Sequence, residues 1–260
     1  DGRPLRNGPI HQQDFIVEAL NLDCEADDLM ALIRRFDHWW HQPASSRPVR
    51  NLNLLFHGTP GTGKTEFARH LAQELDRPLL VKRASDLLGS YIGQTEKALA
   101  SAFTEAENEE AILLIDEADS LLFPRARAQR SWEISFTNEF LTQMERFTGM
   151  LVCTTNRVKD LDDASLRRFG RKVEFRHLTQ EGAVMLYEQL LAPLASGRLT
   201  ASQRELLSEL QGLTPGVFRV VSDGAQLDSK GITHASLIAA LQAEGNFTDK
   251  NRSVSVGFKT

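Results

Sequence analysis

The chain has 260 residues and a formal net charge of −5; 41% of its residues are hydrophobic and 25% are charged. This composition is typical of a globular protein and excludes a disordered, collagen-like or disulfide-dense chain. The acidic excess also argues against a general phosphate-backbone binder, which would carry a basic excess. The two cysteines, Cys24 and Cys153, match no metal-binding spacing. We therefore expect two buried thiols in a reducing compartment, which favours a cytoplasmic location. No apolar run is long enough to predict a membrane-spanning stretch.

The predicted elements alternate between strands and helices through the first two thirds of the chain. Residues 15–40 carry apolar side chains at helical spacing and predict one or two helices. Five short apolar runs then predict strands, at 52–57, 78–81, 111–115, 150–154 and 172–175, with helical segments between them. This alternation predicts an α/β fold with a parallel sheet and helices on both faces. From residue 179 to 243 only helices are predicted.

A glycine-rich loop follows the first predicted strand of the sheet. Residues 58–65 read GTPGTGKT and fit the pattern G-x-x-x-x-G-K-[ST]. The glycines let backbone N–H groups curl around phosphate oxygens, and the helix that follows directs its positive end at them. Lys64 is predicted to reach the β- and γ-phosphates, and Thr65 to bind Mg²⁺ through its hydroxyl. The predicted nucleotide-binding residues of this segment are Thr59, Pro60, Gly61, Thr62, Gly63, Lys64, Thr65 and Glu66.

Two carboxylates end the apolar run at 112–115. Ligands of a parallel sheet bind at the carboxyl ends of its strands, so Asp116 and Glu117 are expected to face the phosphate loop. Asp116 is predicted to hold Mg²⁺, directly or through water. Glu117 is predicted to act as the general base that polarises the attacking water. We expect Asp119 to cap a helix or face solvent.

Together these motifs resemble the AAA branch of the AAA+ ATPases, and in particular the modules of katanin, spastin and the proteasomal ATPases. The resemblance rests on the phosphate loop, on the sequence DEAD at 116–119, on TTNR at 154–157 and on LDDASLRRFGR at 161–171. It implies a three-layer αβα P-loop NTPase fold with strand order 5-1-4-3-2, followed by a small helical lid. It also implies ATP and Mg²⁺ as cofactors and a hexameric ring as the active form.

The resemblance assigns further catalytic roles residue by residue. Asn156 matches sensor 1, whose amide hydrogen-bonds the γ-phosphate or the water. Arg168 and Arg171 match two arginine fingers, which in the family reach the nucleotide of the neighbouring subunit. Arg167 is expected to lie in solvent. Arg219, in the spacing Gly216-x-x-Arg219, resembles sensor 2 and would contact the γ-phosphate in cis, or else lie on the surface of a lid helix.

The same resemblance points to a pore. Tyr91 and Ile92 match the aromatic–aliphatic pair of pore loop 1, and a tyrosine can stack on any extended peptide with little sequence preference. Three arginines with a tryptophan lie where a second pore loop is expected; they are Arg125, Arg127, Arg130 and Trp132. The same cluster would suit single-stranded nucleic acid. No residue of the adenine pocket is assigned beyond the neighbourhood of Leu22 and Asp23.

The predicted organisation has four parts: an N-terminal arm with helices at 1–50, the nucleotide-binding domain at 51–177, the lid at 178–245 and a polar tail at 246–260. The predicted function is that of an ATP-hydrolysing motor that unfolds, remodels or disassembles proteins through a hexameric pore. Its partners would be a polypeptide substrate and further copies of itself, with neither membrane nor nucleic acid expected. The alternatives are a nucleic-acid motor or loader, a dedicated maturation chaperone of one enzyme, and a non-catalytic nucleotide-gated scaffold, against which the intact Glu117 and Arg168 argue.

Overall fold

The structure, a computed structural model, describes residues 15–46, 48–88, 93–122, 131–227 and 231–254. Contacts divide it into two compact units. The first unit contains Asp23–Gly58 and Lys64–Glu174, and the second contains Thr59–Gly63 with the described parts of 11–22 and 175–260.

A sheet runs through the described residues in the order β1-β6-β2-β5-β4-β3. Its strands are β1 (Asn21–Leu22), β2 (Leu52–Gly58), β3 (Leu79–Arg83), β4 (Ile112–Asp116), β5 (Met150–Thr155) and β6 (Arg171–Arg176). β2 pairs with β5, β5 with β4, and β4 with β3, all in parallel. The five expected strands therefore have the expected order, which confirms the P-loop NTPase fold. The edge strand β1, antiparallel to β6, was not predicted.

The helices of the first unit are α1 (Ala26–Trp40), α2 (Lys64–Glu74), α3 (Ala84–Leu87), α4 (Gln94–Asn108), α5 (Ser131–Arg146) and α6 (Asp163–Leu166). In α1 the apolar residues recur every three or four positions, so one face is buried and carries Leu29, Ile33, Phe36 and Trp40. The central strands β4 and β5 are buried almost throughout, which explains their continuous apolar sequences. This packing holds the carboxyl ends of the strands, where the candidate site lies, in fixed positions.

The described part of the second unit beyond residue 176 is helical. It contains α7 (Gln180–Leu186), which continues into a π-helical turn at Tyr187–Leu191, then α8 (Ala201–Glu209), α9 (Pro215–Leu227) and α10 (His234–Val254). Thr179 caps α7, and a capping box formed by Thr200 and Gln203 begins α8. α10 ends at Val254, so part of the expected tail is helical. No described helix is long and apolar enough to cross a membrane.

The two cysteines lie in different environments. Cys153 is buried within β5, and this burial raises the pKa of its thiol. Cys24 is exposed in the turn between β1 and α1. The prediction of two buried thiols was therefore wrong for Cys24, because the two-residue strand β1 ends before it and leaves its side chain outside the core.

A buried arginine ties α1 to the segment after α2. The Arg77 side chain is 5% exposed and its Nε donates to Asp37 Oδ1 at 2.7 Å. Its guanidinium carbon lies 4.1 Å from the Trp40 ring centroid, and its NH1 donates to the Glu110 carbonyl at 3.2 Å. One side chain thus holds three segments of the first unit together.

Replacing Arg77 with alanine is expected to lower the free energy of unfolding by about 3 kcal/mol, because the poorly solvated Asp37 carboxylate loses its partner. Urea denaturation followed by circular dichroism measures this change. The matched control is Arg34→Ala, since Arg34 pairs with Glu74 at 2.9 Å but is 60% exposed; its expected cost is below about 1 kcal/mol. Equal losses in both variants would contradict the structural role of Arg77.

Candidate active site

The phosphate loop begins and ends in the first unit. β2 ends at Gly58, and α2 begins at Lys64. Lys64 is buried, and its Nζ donates to the Gly58 carbonyl at 2.9 Å. Thr65 Oγ1 donates to Asp116 Oδ1 at 3.1 Å. An ammonium group, a hydroxyl and the positive end of α2 therefore converge where the sequence predicted phosphate and metal binding.

The middle of the loop groups with the second unit. Gly61 and Gly63 have φ values of +80° and +96°, which favour glycine. A Cβ on Gly61 would lie 3.0 Å from Thr214 Oγ1, and the Gly216 N–H donates to the Gly61 carbonyl at 2.9 Å. A Cβ on Gly63 would lie 3.3 Å from Leu20. Each glycine is therefore favoured by its backbone conformation, and the space beside it is narrow.

The acidic pair ends β4 as predicted. Asp116 is the last residue of the strand, and Glu117 follows with φ 57° and ψ 46° in the left-handed region. The Glu117 side chain is exposed at this edge. Asp119 accepts a hydrogen bond from Thr155 Oγ1 at 2.9 Å.

The end of β5 adds side chains to the same edge. Thr154 Oγ1 donates to Asp116 Oδ1 and accepts the Glu117 N–H at 3.1 Å. Asn156 follows the strand directly and is exposed. The structure thus brings Lys64, Thr65, Asp116 and Glu117 to one edge with Asn156, and it adds Thr154, which the sequence analysis missed.

The donor set fits Mg²⁺. A hydroxyl and a carboxylate, which are hard oxygen ligands, are the groups that Mg²⁺ prefers in proteins. Thr65 and Asp116 supply them within hydrogen-bond distance of each other. Glu66 lies in the first turn of α2, and its Oε1 forms an ion pair with Arg69 Nε at 3.7 Å.

Arg168 and Arg171 lie elsewhere in the first unit. The Gly170 N–H donates to the Asn53 carbonyl at 2.9 Å, and the Asn53 amide donates to the Arg168 carbonyl at 3.2 Å. This turn is therefore fixed at the start of β2, whereas the phosphate loop begins at its end. Five residues of strand separate the two places, about 16 Å at the usual rise. That span exceeds the reach of an arginine side chain.

The Arg168 guanidinium is held by its own chain. Its Nε donates to Glu145 Oε1 at 2.7 Å, and its NH1 donates to the Ala164 carbonyl at 2.7 Å. Arg171 begins β6 and is exposed, as is Arg167.

Arg219 lies on α9 in the second unit. It is exposed and follows Gly216 by three residues, which puts both on the same side of the helix. The Gly216 N–H is hydrogen-bonded to the Gly61 carbonyl. This side of α9 therefore faces the middle of the phosphate loop.

Several predicted residues fall outside the description. Tyr91 and Ile92, the predicted pore residues, and the three arginines Arg125, Arg127 and Arg130 lie outside the described residues. Trp132 lies within α5, and its side chain also lies outside the description.

Comparison with protein families identifies the domain. Residues 54–177 match the model of the ATPase family associated with various cellular activities (AAA). Residues 54–177 belong to the AAA family. The match begins in β2 and ends just after β6, so this AAA domain contains the phosphate loop, the acidic end of β4 and the arginine turn. The matched model describes a family of ATPases.

Curated relatives of this AAA domain include spastins. The chain is 30% identical over 183 residues to spastin of Drosophila melanogaster, covering 67% of this chain and 24% of that protein. It is 35% identical over 176 residues to spastin of Danio rerio, covering 65% of this chain and 30% of that protein. The chain thus spans less than a third of the length of these relatives.

Solved structures share the AAA fold. The AAA domain of FIGL-1, crystallised in complex with ADP, superposes with a TM-score of 0.64 at 20% identity and covers 86% of each chain. Trip13, in the HORMA:CdnC:Trip13 complex of E. coli MS115-1, also superposes with a TM-score of 0.64. The identity is 18%, and the match covers 83% of this chain and 85% of that chain.

Proposed function

We propose that this chain is the motor module of an ATP-driven machine that remodels or disassembles protein substrates. The observation that carries the proposal is the convergence of Lys64, Thr65, Asp116 and Glu117 at the carboxyl edge of the sheet, beyond β2 and β4, within an AAA domain related to spastins. Such a convergence serves phosphoryl transfer to water, because it joins a positive phosphate cradle to carboxylates.

Each residue of the site has a proposed role. Lys64 neutralises charge on the β- and γ-phosphates, and the N–H groups of the loop orient them. Glu117 takes the proton of the attacking water, and the Asn156 amide orients that water. Arg219 is proposed to contact the γ-phosphate in cis from α9.

Thr65 and Asp116 are proposed to hold Mg²⁺. When bound there, the ion would neutralise negative charge on the phosphate oxygens. The hydrogen bond from Thr65 to Asp116 keeps the hydroxyl and the carboxylate oriented toward the same point before any ligand binds.

Arg168 and Arg171 are proposed to act on the nucleotide of a neighbouring copy. The distance of about 16 Å along β2 supports this, since it separates the turn of the two arginines from Gly58, where the phosphate loop begins. A guanidinium keeps its charge at any working pH and can stabilise the charge that develops on the transferred phosphoryl group. The active form would therefore be an oligomer, and we propose a hexameric ring.

Tyr91 and Ile92 are proposed to grip polypeptide in the pore of that ring. We expect unfolded protein to raise the ATPase turnover of the intact chain, and Tyr91→Ala to abolish this stimulation while Tyr91→Phe, which keeps the aromatic ring, retains it. A coupled phosphate-release assay with and without an unfolded protein measures the effect. Full stimulation of Tyr91→Ala would contradict the assigned grip.

A nucleic-acid motor is the second candidate, favoured by the cluster Arg125, Arg127, Arg130 and Trp132. The same assay with single-stranded DNA separates the two. Stimulation by DNA alone would overturn the protein-remodelling proposal. If neither polymer stimulates turnover, the dedicated maturation chaperone becomes the better account, because it would respond only to its own partner.

A further inference from the structure

We propose that Thr154 is a positioning residue for hydrolysis, whose single hydroxyl orients both the metal-binding carboxylate of Asp116 and the backbone that carries Glu117. The inference rests on the proposed roles of those two residues and adds a residue to which neither the motifs nor the comparisons assign a role.

The sheet brings the three residues together. β5 lies between β2 and β4, and the register pairs Ile115 of β4 with Cys153 of β5. The next residue of each strand is Asp116 and Thr154, so their side chains are neighbours at the carboxyl edge. Thr154 is 2% exposed, and its hydroxyl has little access to water.

The hydrogen bonds around the hydroxyl have one consistent assignment. The Glu117 backbone N–H is a donor, so Thr154 Oγ1 accepts that bond at 3.1 Å. The Thr154 hydroxyl then donates its own hydrogen bond to Asp116 Oδ1. A carboxylate accepts hydrogen bonds, so Asp116 Oδ1 can accept one from Thr65 and another from Thr154. The arrangement fixes which face of the carboxylate remains open to other ligands.

The bond to Glu117 acts at an unusual backbone position. Glu117 has φ 57° and ψ 46°, a conformation that residues with a Cβ seldom adopt. Its side-chain direction depends on this conformation, and the Thr154 hydroxyl bonds the N–H group at that point. Loss of the hydroxyl would therefore loosen the direction of the proposed base and the orientation of Asp116 at the same time.

Thr154→Val tests the proposal, since valine keeps the shape and removes the hydroxyl. We expect kcat to fall about 10- to 100-fold, as for other groups that orient metal ligands, while KM for ATP changes little. Thr154→Ser, which keeps the hydroxyl, is expected to recover most of the lost turnover. Thr154→Ala is the second variant if valine prevents folding.

Binding supplies a readout apart from turnover. Titration with a fluorescent ATP analogue is done with Mg²⁺ and with EDTA. We expect Thr154→Val to bind the analogue normally in EDTA and to lose part of the additional affinity that Mg²⁺ confers, because Asp116 is no longer oriented. Thr154→Ser is expected to regain that increment.

Thr137→Val is the matched control. Thr137 is 1% exposed and its hydroxyl donates to the Leu121 carbonyl at 3.0 Å, away from Asp116. It is expected to lower thermal stability without changing kcat or the Mg²⁺ increment. An equal fall of kcat in Thr137→Val, or no recovery in Thr154→Ser, would overturn the inference.

A second comparison links Thr154 to Glu117. In a chain that already carries Glu117→Gln, adding Thr154→Val is expected to lower kcat much less than it does alone. Fully additive losses would overturn the link. If the unaltered chain binds no nucleotide, the proposed function fails as well; if it hydrolyses ATP and Thr154→Val does so equally, only this inference fails.

Discussion

Arg168→Ala is expected to lower ATPase turnover about 10³- to 10⁵-fold, the range that arginine fingers supply, while each chain still binds ATP. In its proposed role the guanidinium stabilises charge only in the transition state, so its loss is expected to affect kcat more than binding. Turnover is measured at saturating ATP and nucleotide affinity by fluorescence titration. Arg167→Ala is the control, because its side chain is exposed in the same turn.

A mixing experiment tests whether Arg168 acts on a neighbour. Chains with Arg168→Ala keep their own Glu117, and chains with Glu117→Gln keep their own Arg168. When the two inactive proteins are mixed, some Arg168→Ala sites receive an intact arginine from a neighbouring chain, and turnover is expected to reappear. No recovery at any ratio would argue that the arginine does not act between copies.

Glu117→Gln is expected to lower turnover about 10²- to 10⁴-fold, which is the usual contribution of a general base. Glutamine has nearly the same shape but cannot take a proton from water, so ATP should bind and remain intact. Nucleotide extracted from the purified variant after incubation with Mg²⁺-ATP is expected to be mainly ATP. Glu109→Gln, at an exposed position just after α4, is the control and should hydrolyse normally.

Normal turnover by Glu117→Gln would contradict the assignment and direct attention to Asp119, the remaining acid of the same segment. Asp119 accepts a hydrogen bond from Thr155, so it is a less available base.

Local patterns predicted the five core strands and the main contents of the site, whereas the order of the strands came from the resemblance to the AAA branch. A buried parallel strand needs a continuous apolar run, and a phosphate loop needs glycines at set positions. β4 and β5 satisfy the first condition and residues 58–65 the second. Because β2, β5 and β4 are parallel, the residues that follow them meet at the same edge of the sheet.

Features that depend on tertiary contact could not be predicted. β1 has two residues and forms only because β6 pairs with it. Thr154 begins the motif TTNR, but nothing in the motif predicts that its hydroxyl bonds Asp116, which lies on the neighbouring strand. Arg77 looks like an ordinary charged residue after a helix, yet its side chain is 5% exposed. In each case the deciding partner is distant along the chain.

The anchoring of the arginine turn by Asn53 has a consequence for mixed populations of chains. Asn53 is a buried residue, and it holds the turn of Arg168 through its amide and its carbonyl. If that arginine works on an adjoining copy, a defect at Asn53 would leave the affected chain's own pocket sound and impair the pocket of a normal neighbour. A minority of such chains would then lower the ATPase turnover of the whole assembly by more than their fraction of its subunits.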